Sequence, residues 1–194
     1  MPETIRDGKG RGYLAQVNAD NQLVTRAATN AQRLISTIDG QYYEAITGKI
    51  TLTDATETGI IYLKNTITTD LVIVVDRVFY DIWTSTGGSG ADGSLYYFKN
   101  PTVTGGTTIE PTNTNFQSTG GSIGTFLKSL TTITGTKWWS AYITDKTSAS
   151  IEEGRIVIPA GGSFGISVAA PTGNTSMDIS INIAFYYLDT ELVQ

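Results

Sequence analysis

The sequence predicts an all-β protein: a jelly-roll-like β-sandwich with an extended N-terminal arm. From Tyr42 onward, apolar residues alternate with polar ones or form short runs bounded by Gly, Asn, Asp and Thr, which is typical of strands. About ten short strands with turn signals every ~8–15 residues indicate a sandwich rather than isolated hairpins. No repeat of fixed period is present, which argues against a propeller or a solenoid.

Residues 1–40 are assigned to the arm. Within it, segments 13–17 and 22–25 predict two short strands of a hairpin around a turn at 18–21. Residues 26–40 are alanine-rich enough for one or two helical turns. Because a two-stranded hairpin is marginal on its own, the arm is expected to pack on the body or on another chain.

Residues 41–194 are assigned to one sandwich body. The segment 71–84 is too long and too apolar for an edge and predicts a central strand. In the last strand, the odd-numbered residues from Ile179 to Tyr187 form an apolar face opposite Asp178, Ser180 and Asn182. The predicted strands are 42–46, 48–53, 58–64, 71–84, 94–99, 107–110, 123–133, 138–144, 155–158, 163–170 and 177–188.

The tract from Leu95 to Gly121 has the turn chemistry of a surface-presenting β-protein. Asn100-Pro101 and Glu110-Pro111 predict turns, because proline fixes φ. Gly105-Gly106 predicts a tight connection between two threonine-bearing segments.

Composition removes most catalytic chemistry. The 194 residues include no His and no Cys, which excludes imidazole general bases, thiol catalysis, cysteine-type zinc sites and disulfides. Charged residues are 16%, below the roughly 25% of average domains, so Thr, Ser, Asn and Gly must supply much of the polar surface.

Charge and hydropathy limit the partners. The net charge of −5 argues against a nucleic-acid partner. Residues 1–35 carry five basic and three acidic residues (+2), and the remainder carries eight and fifteen (−7), so the arm is mildly basic and the body acidic. No apolar run approaches the ~20 residues of a membrane span, and no signal-peptide pattern is present, so synthesis in the cytoplasm without a membrane partner is expected.

The remaining catalytic motifs are weak, and we expect no enzyme, no cofactor and no metal site. Adjacent residues of a strand point to opposite faces, so Lys128-Ser129 is a poor Ser–Lys dyad. The glycine-rich segment 87–93 lacks the lysine of a phosphate-binding loop. Three carboxylate pairs could in principle act on glycosides, although solvated turns or ion pairs explain them better: Asp76 with Asp81, Asp54 with Glu57, and Glu152 with Glu153.

Adjacent aromatic residues offer a binding surface. Trp138-Trp139, Tyr96-Tyr97 and Tyr186-Tyr187 should each place one ring in the core and one outside. The outward rings could be ordinary packing, a subunit contact, or a glycan platform formed by Trp138, Trp139 and Tyr142.

Four segments resemble virion proteins of tailed bacteriophages, in particular the decoration (auxiliary or cement) proteins on the outside of the capsid. They are DGKGRGYLAQVNADNQLVTRA, ITLTDATETGIIYLKNT, FKNPTVTGGTTIEPTNTNFQSTGG and RIVIPAGGSFGISVAAP. The resemblance implies a β-sandwich that associates as a homotrimer, binds the major capsid protein on the capsid exterior of the virion, and has no catalytic residues.

The sequence thus favours a non-enzymatic structural protein that stabilises or decorates a phage capsid. The arm is expected to contact the shell, a sister subunit or its own body through Arg11, Tyr13, Leu14, Val17, Leu23 and Arg26. The alternative is a carbohydrate- or receptor-binding β-module of a phage head or tail fibre. An enzyme that uses two carboxylates is the third reading.

Overall fold

The computed structural model describes the backbone of residues 4–6, 14–17, 23–24, 39–53, 56–68, 70–86, 93–143, 148–170 and 176–189. Side chains are described within 39–53, 56–68, 70–82, 93–142, 156–170 and 176–189. The chain divides into two compact units, Met1–Ala31 and Gln32–Gln194. The possible helical turns within 26–38 lie outside the described residues.

All regular structure among the described residues is β-strand. The strands are β1 (Thr4–Arg6), β2 (Leu14–Val17), β3 (Leu23–Val24), β4 (Tyr42–Ile46), β5 (Ile50–Leu52), β6 (Glu57–Lys64), β7 (Leu71–Thr86), β8 (Gly93–Thr104), β9 (Thr107–Thr108), β10 (Thr112–Asn113), β11 (Thr125–Leu130), β12 (Thr132–Ile143), β13 (Ser148–Ile158), β14 (Ser163–Ala169) and β15 (Ser176–Asp189).

The first unit contains a small antiparallel sheet with the order β1-β2-β3. Strands β2 and β3 correspond to the predicted hairpin, with Gln16 opposite Val24. Strand β1, where Thr4 lies opposite Gln16, was not predicted.

The second unit is a sandwich of two antiparallel sheets. Sheet 1 has the order β10-β4-β15-β7-β13, with β5 also paired to β15. Sheet 2 has the order β12-β8-β14-β6-β11-β9. The all-β prediction is confirmed.

The pairing order is that of a jelly roll. Strands of the first half pair in reverse order with strands of the second: β4 with β15, β6 with β14, β7 with β13 and β8 with β12. The chain is therefore one long antiparallel ribbon, which wraps so that β15 also meets β7 and β14 also meets β8. Strands β9 to β11 are an addition between β8 and β12.

The core lies between the sheets and is built mainly of β-branched and aromatic residues. The predicted apolar face of β15 is confirmed, since every odd-numbered residue from Ile179 to Tyr187 belongs to this core. A smaller cluster on the other face of sheet 1 joins Tyr42, Val74 and Tyr186. Tyr186 and Tyr187 are therefore both buried, which corrects the expectation that one ring of this pair faces out.

Strand β7 is central, as predicted, but it does not alternate regularly. Its core-facing residues change from odd-numbered (Ile73, Val75) to even-numbered (Val78, Tyr80). The change occurs because Asp76 is an extra residue opposite β15, a β-bulge.

Strands β6 and β14 are buried on both faces. One face belongs to the main core and includes Ile166. The other is covered by the β8–β12 ribbon, so closely that a Cβ on Gly165 would lie 2.7 Å from Ile133 Cδ1. A Cβ on Gly59 would likewise lie 3.0 Å from Ile133 Cγ2, and 2.8 Å from the Cβ of Leu130, its partner in β11. Glycine at both positions lets apolar side chains rest directly on the backbone of the sheet.

The turn predicted at Asn100-Pro101 is wrong, because β8 continues through it. The register against β12 shifts between Thr134 and Thr136, so Asn100 and Pro101 together oppose Gly135. Asn100 adopts a left-handed φ of 48° at this bulge. Bulges are among the few places where a strand tolerates proline, so Pro101 marks a bulge within β8 and not a turn.

Gly105-Gly106 is a corner of the ribbon, not a hairpin. Thr104 pairs with Thr132 before the corner and Thr107 pairs with Lys128 after it, so the two threonine segments do not pair with each other. Both glycines have positive φ, 63° and 106°. The single strand predicted over 123–133 is accordingly divided, with β11 ending at Leu130 and β12 beginning at Thr132.

Asn65 joins the two sheets at the end of β6. Its side chain is fully buried and donates to the carbonyls of Leu71 (3.1 Å) and Ile158 (3.0 Å) while accepting from the Ile67 amide (3.0 Å). Its own amide donates to Gly162 O at 3.0 Å. One polar residue thus satisfies backbone groups from sheet 1, from the connection between β6 and β7, and from the turn between β13 and β14.

Candidate binding surfaces

The tryptophan pair of β12 lies on a bulge. The register of β12 against β8 shifts between Lys137 and Trp139, which leaves Trp138 as the extra residue. Both indole rings therefore lie against Tyr97, with centroids 5.8 Å away for Trp138 and 4.5 Å away for Trp139. Trp139 packs on the main core, whereas Trp138 is 45% exposed. The expected division into one inner and one outer ring is present, but the bulge keeps both rings on the same tyrosine.

Trp138 borders a cavity of about 350 Å³ between the outer strands of the two sheets, which we call the edge cavity. Its mouth carries two exposed apolar side chains, Trp138 and Val157, the latter 40% exposed. Of the described residues in its lining, Lys99 is the single charged one. The lining residues are Phe98, Lys99, Asn100, Trp138, Ile156, Val157, Ile158, Pro159, Ser163 and Phe164.

Tyr142 lies apart from the edge cavity. Its side chain is 77% exposed and lines a smaller cavity of about 110 Å³ together with Tyr96, Ser94 and Ser140. The structure therefore brings Trp138 and Trp139 together on Tyr97 but assigns Tyr142 to a different surface.

Lys137 and Glu57 form a fixed polar contact next to these rings. The Lys137 ammonium lies 2.6 Å from a Glu57 carboxylate oxygen and 3.8 Å from the centroid of the Tyr96 ring. Ser167 donates to the other Glu57 oxygen at 2.6 Å. Both oxygens of Glu57 are thus engaged, while its candidate partner Asp54 lies outside the described residues.

The strand carboxylates of sheet 1 are also engaged. The buried Asp76 accepts a hydrogen bond of 2.7 Å from the Tyr42 hydroxyl. Arg77 forms an ion pair with Glu44 at 3.0 Å, in line with the expectation that this part of β7 makes ion pairs. Of the third candidate pair, Glu152 and Glu153, only the backbone is described.

Residues 114–124, which we call the Phe116 loop, are held by hydrogen bonds between side chains and backbone. Asn113 donates to the Gly40 carbonyl (2.7 Å) and accepts from the Asn115 amide (2.8 Å). Asn115 accepts in turn from the Gln117 amide (3.0 Å). Such turns fix a loop locally without an apolar core. The loop presents Phe116 with 97% of its surface exposed.

Two core tyrosines anchor the far end of the Phe116 loop. The Tyr43 hydroxyl donates to the Gly121 carbonyl at 3.3 Å. The Tyr187 hydroxyl accepts from the Ile123 amide at 2.7 Å and donates to the carbonyl of the same residue. Burial raises the pKa of Tyr187 well above its usual 10.0, although the hydrogen bond to Ile123 opposes the shift. The hydroxyl therefore remains a neutral donor.

Sequence reasoning singled out this tract as a presented surface but missed Phe116. The available signal was the spacing Asn113-x-Asn115-Phe116-x-Ser118, in which residues that form local turns surround one aromatic ring.

Of the predicted arm contacts, Leu14, Val17 and Leu23 lie in β2 and β3, where only the backbone is described. Arg11, Tyr13 and Arg26 lie outside the described residues. Their role stays a prediction.

No three acidic side chains in the described part of the chain converge as metal ligands. The described residues also contain no helix long and apolar enough to cross a bilayer. No protein-family model matches this sequence, and a comparison with curated proteins finds no relative.

Proposed function

We propose that the protein is a non-enzymatic virion structural protein that binds the outer surface of a bacteriophage capsid and stabilises or decorates it as a homotrimer. The observation that carries the proposal is the exposure of apolar side chains at both edges of sheet 1. Phe116 follows β10 at one edge. Val157 belongs to β13 at the other edge, where Trp138 of the neighbouring strand β12 lines the same cavity. Aromatic residues such as Phe116 and Trp138 are enriched in protein–protein interfaces relative to the rest of the surface. A subunit that has contacts on two opposite sides suits a closed assembly.

The sequence resemblance supplies the partner, the major capsid protein, and the site, the capsid exterior. The basic arm suits an acidic neighbour, and its proposed contacts are Arg11, Tyr13, Leu14, Val17, Leu23 and Arg26. Several identical contacts per trimer would make weak individual contacts sufficient through avidity.

Co-sedimentation with capsids prepared without this protein tests the proposal. The full chain should sediment with the shells in a saturable manner, and a chain that lacks residues 1–25 should bind more weakly. Tyr142→Ala, a surface change remote from the arm in sequence, serves as the control and should bind like the wild type. Full binding by the truncated chain would remove the arm from the proposal, and no binding by the full chain would refute shell attachment.

A carbohydrate- or receptor-binding module is the second candidate. It is favoured by the exposed Tyr142, which together with Tyr96 offers aromatic faces beside the hydroxyls of Ser94 and Ser140. Under this reading a glycan array gives a signal that Tyr142→Ala abolishes. An array without signal would count against the carbohydrate-binding form of this candidate.

A further inference from the structure

We propose that the Phe116 loop of one subunit inserts its phenyl ring into the edge cavity of the next subunit, and that this contact, repeated in a ring, builds the homotrimer. The inference rests on the proposed function for the subunit number. It assigns the exposed Phe116 ring and the edge cavity to a single interface between copies of this chain.

The position of the two sites favours a head-to-tail contact. The Phe116 loop follows β10, the outermost strand at one side of sheet 1, and the edge cavity is lined by β13, the outermost strand at the other side. A contact that joins two different surfaces is heterologous, and heterologous contacts close into rings when the rotation between subunits permits.

The dimensions also fit. An apolar cavity of about 150 Å³ is sufficient to bind benzene. The edge cavity, at about 350 Å³, can therefore accept a phenyl ring with part of its loop. Trp138 at the mouth and Phe98 and Phe164 in the lining offer aromatic surfaces to the incoming ring.

Charge is complementary between the two sites. Segment 105–124 carries Glu110 and no basic residue, and Asp39 adjoins Gly40, which is hydrogen-bonded to the base of the loop. Among the described residues, Lys99 is the one charged residue that lines the edge cavity. Opposite charges around an apolar contact orient the partners and disfavour the reversed arrangement.

The loop is preorganised for insertion. The bonds of Asn113, Asn115, Tyr43 and Tyr187 fix its backbone before any partner arrives. A fixed loop loses little conformational freedom on binding, so more of the contact energy contributes to affinity.

Sedimentation-velocity ultracentrifugation of the full chain tests the proposal. The wild type should sediment as a trimer, whereas Phe116→Glu and Val157→Glu should each sediment as monomers, with dissociation constants raised at least about 30-fold, as for loss of a central anchor. Tyr142→Glu, which changes an exposed ring outside both sites, should remain trimeric. Circular dichroism and the melting temperature check that every variant is folded.

A mixing experiment then separates this contact from any other. Val157→Glu subunits keep the phenyl ring and Phe116→Glu subunits keep the open cavity, so an equimolar mixture has one intact contact and should form a heterodimer. A mixture that remains monomeric, or a Phe116→Glu variant that remains trimeric, would overturn the proposal. So would a monomeric wild type, or a glycan that saturably quenches tryptophan fluorescence in wild type but not in Trp138→Ala.

Co-sedimentation with capsid shells distinguishes a failure of the trimer contact from a failure of the proposed capsid role. If the variants remain trimeric but the wild type binds shells, the interface assignment fails and the capsid role stands. If the variants behave as expected but no shell binds the wild type, the capsid role fails and the trimer contact stands.

Discussion

The β-sandwich interior and the Phe116 loop are held by different forces. Strand β15 contributes Ile179, Ile181 and Phe185 to the core, each with no exposed surface, and its order comes from apolar burial. The Phe116 loop exposes both of its large apolar residues, Phe116 and Ile123, and is held by polar side chains. Changes in the interior should therefore alter global stability, and changes in the loop should alter what the protein presents to a partner.

The largest expected effect is that of removing an interior ring. Phe185 stacks on Phe126 with a centroid distance of 5.1 Å and on Tyr43 at 5.7 Å. Phe185→Ala should lower the free energy of unfolding by about 3–5 kcal/mol, because it removes buried surface and leaves a cavity. Urea denaturation measures the loss. Phe116→Ala, the same substitution at an exposed site, should change stability by less than about 0.5 kcal/mol at dilutions where self-association does not contribute. Equal losses in the two variants would break the comparison.

Asparagines provide the second matched pair. Asn65→Ala should cost about 2–3 kcal/mol of unfolding free energy, since it leaves the buried Ile158 carbonyl, the buried Ile67 amide and the partly buried Leu71 carbonyl without their partner. Asn113→Ala should cost about 1 kcal/mol or less, because its partners are only partly buried. Its main effect should be faster hydrogen exchange at the Asn115 amide. If Asn113→Ala destabilised the whole protein as much as Asn65→Ala, the loop would belong to the same cooperative unit as the core.

The glycines under the ribbon give a smaller effect. Gly165→Ala should lower stability by about 1–3 kcal/mol, because the new methyl group would overlap Ile133 Cδ1. Ile133→Val removes that atom and should recover part of the loss in the double variant. Gly121→Ala serves as the control, since no atom lies within 4 Å of the added Cβ. Additive costs for Gly165→Ala and Ile133→Val would show that the two residues do not press on each other.

The smallest effect concerns Tyr187, which belongs to both regions. Because its pKa in the folded state is raised above the usual 10.0, its contribution to stability is present below pH 10 and is lost as pH rises beyond it. Tyr187→Phe should lower stability at pH 8 by about 1 kcal/mol through loss of the Ile123 bonds. It should also flatten the decline above pH 10 by up to about 1.4 kcal/mol per pH unit. Unfolding at pH 8 and pH 11 measures both, and an unchanged slope would assign the alkaline loss to other tyrosines.

The sequence predicted those features that depend on local pattern. The alternation from Ile179 to Tyr187 was sufficient to identify the core face of β15. The apolar length of β7 was sufficient to identify it as a central strand. The bulges at Asp76 and Asn100 were missed, because a bulge is defined by the neighbouring strand. In β7 the apolar positions change phase on either side of Asp76, which would have indicated an extra residue there.

The binding surfaces were harder to predict than the fold. One ring of the Trp138-Trp139 pair was expected to face out, but the sequence did not say which. The exposed ring is Trp138, and its cavity depends on β13 and β14, which meet β12 only in three dimensions. Phe116 was missed, because isolated aromatic residues in a sequence are most often buried. Its exposure follows from bonds to Gly40 and Tyr187, which lie far away along the chain.

The wrapped ribbon has a consequence for how the chain is made. Strand β4 completes its main pairing only when Tyr42 meets Tyr186, at the other end of the body. Ribosomes add about 5–20 residues per second, so the early strands wait for roughly 7–30 seconds before their last partner emerges. During that interval the apolar strand β7 has no β15 to pair with. The nascent polypeptide is therefore prone to aggregation until β15 leaves the ribosome. Translation speed over the final third of the message should therefore affect the yield of native protein more than speed over the first third.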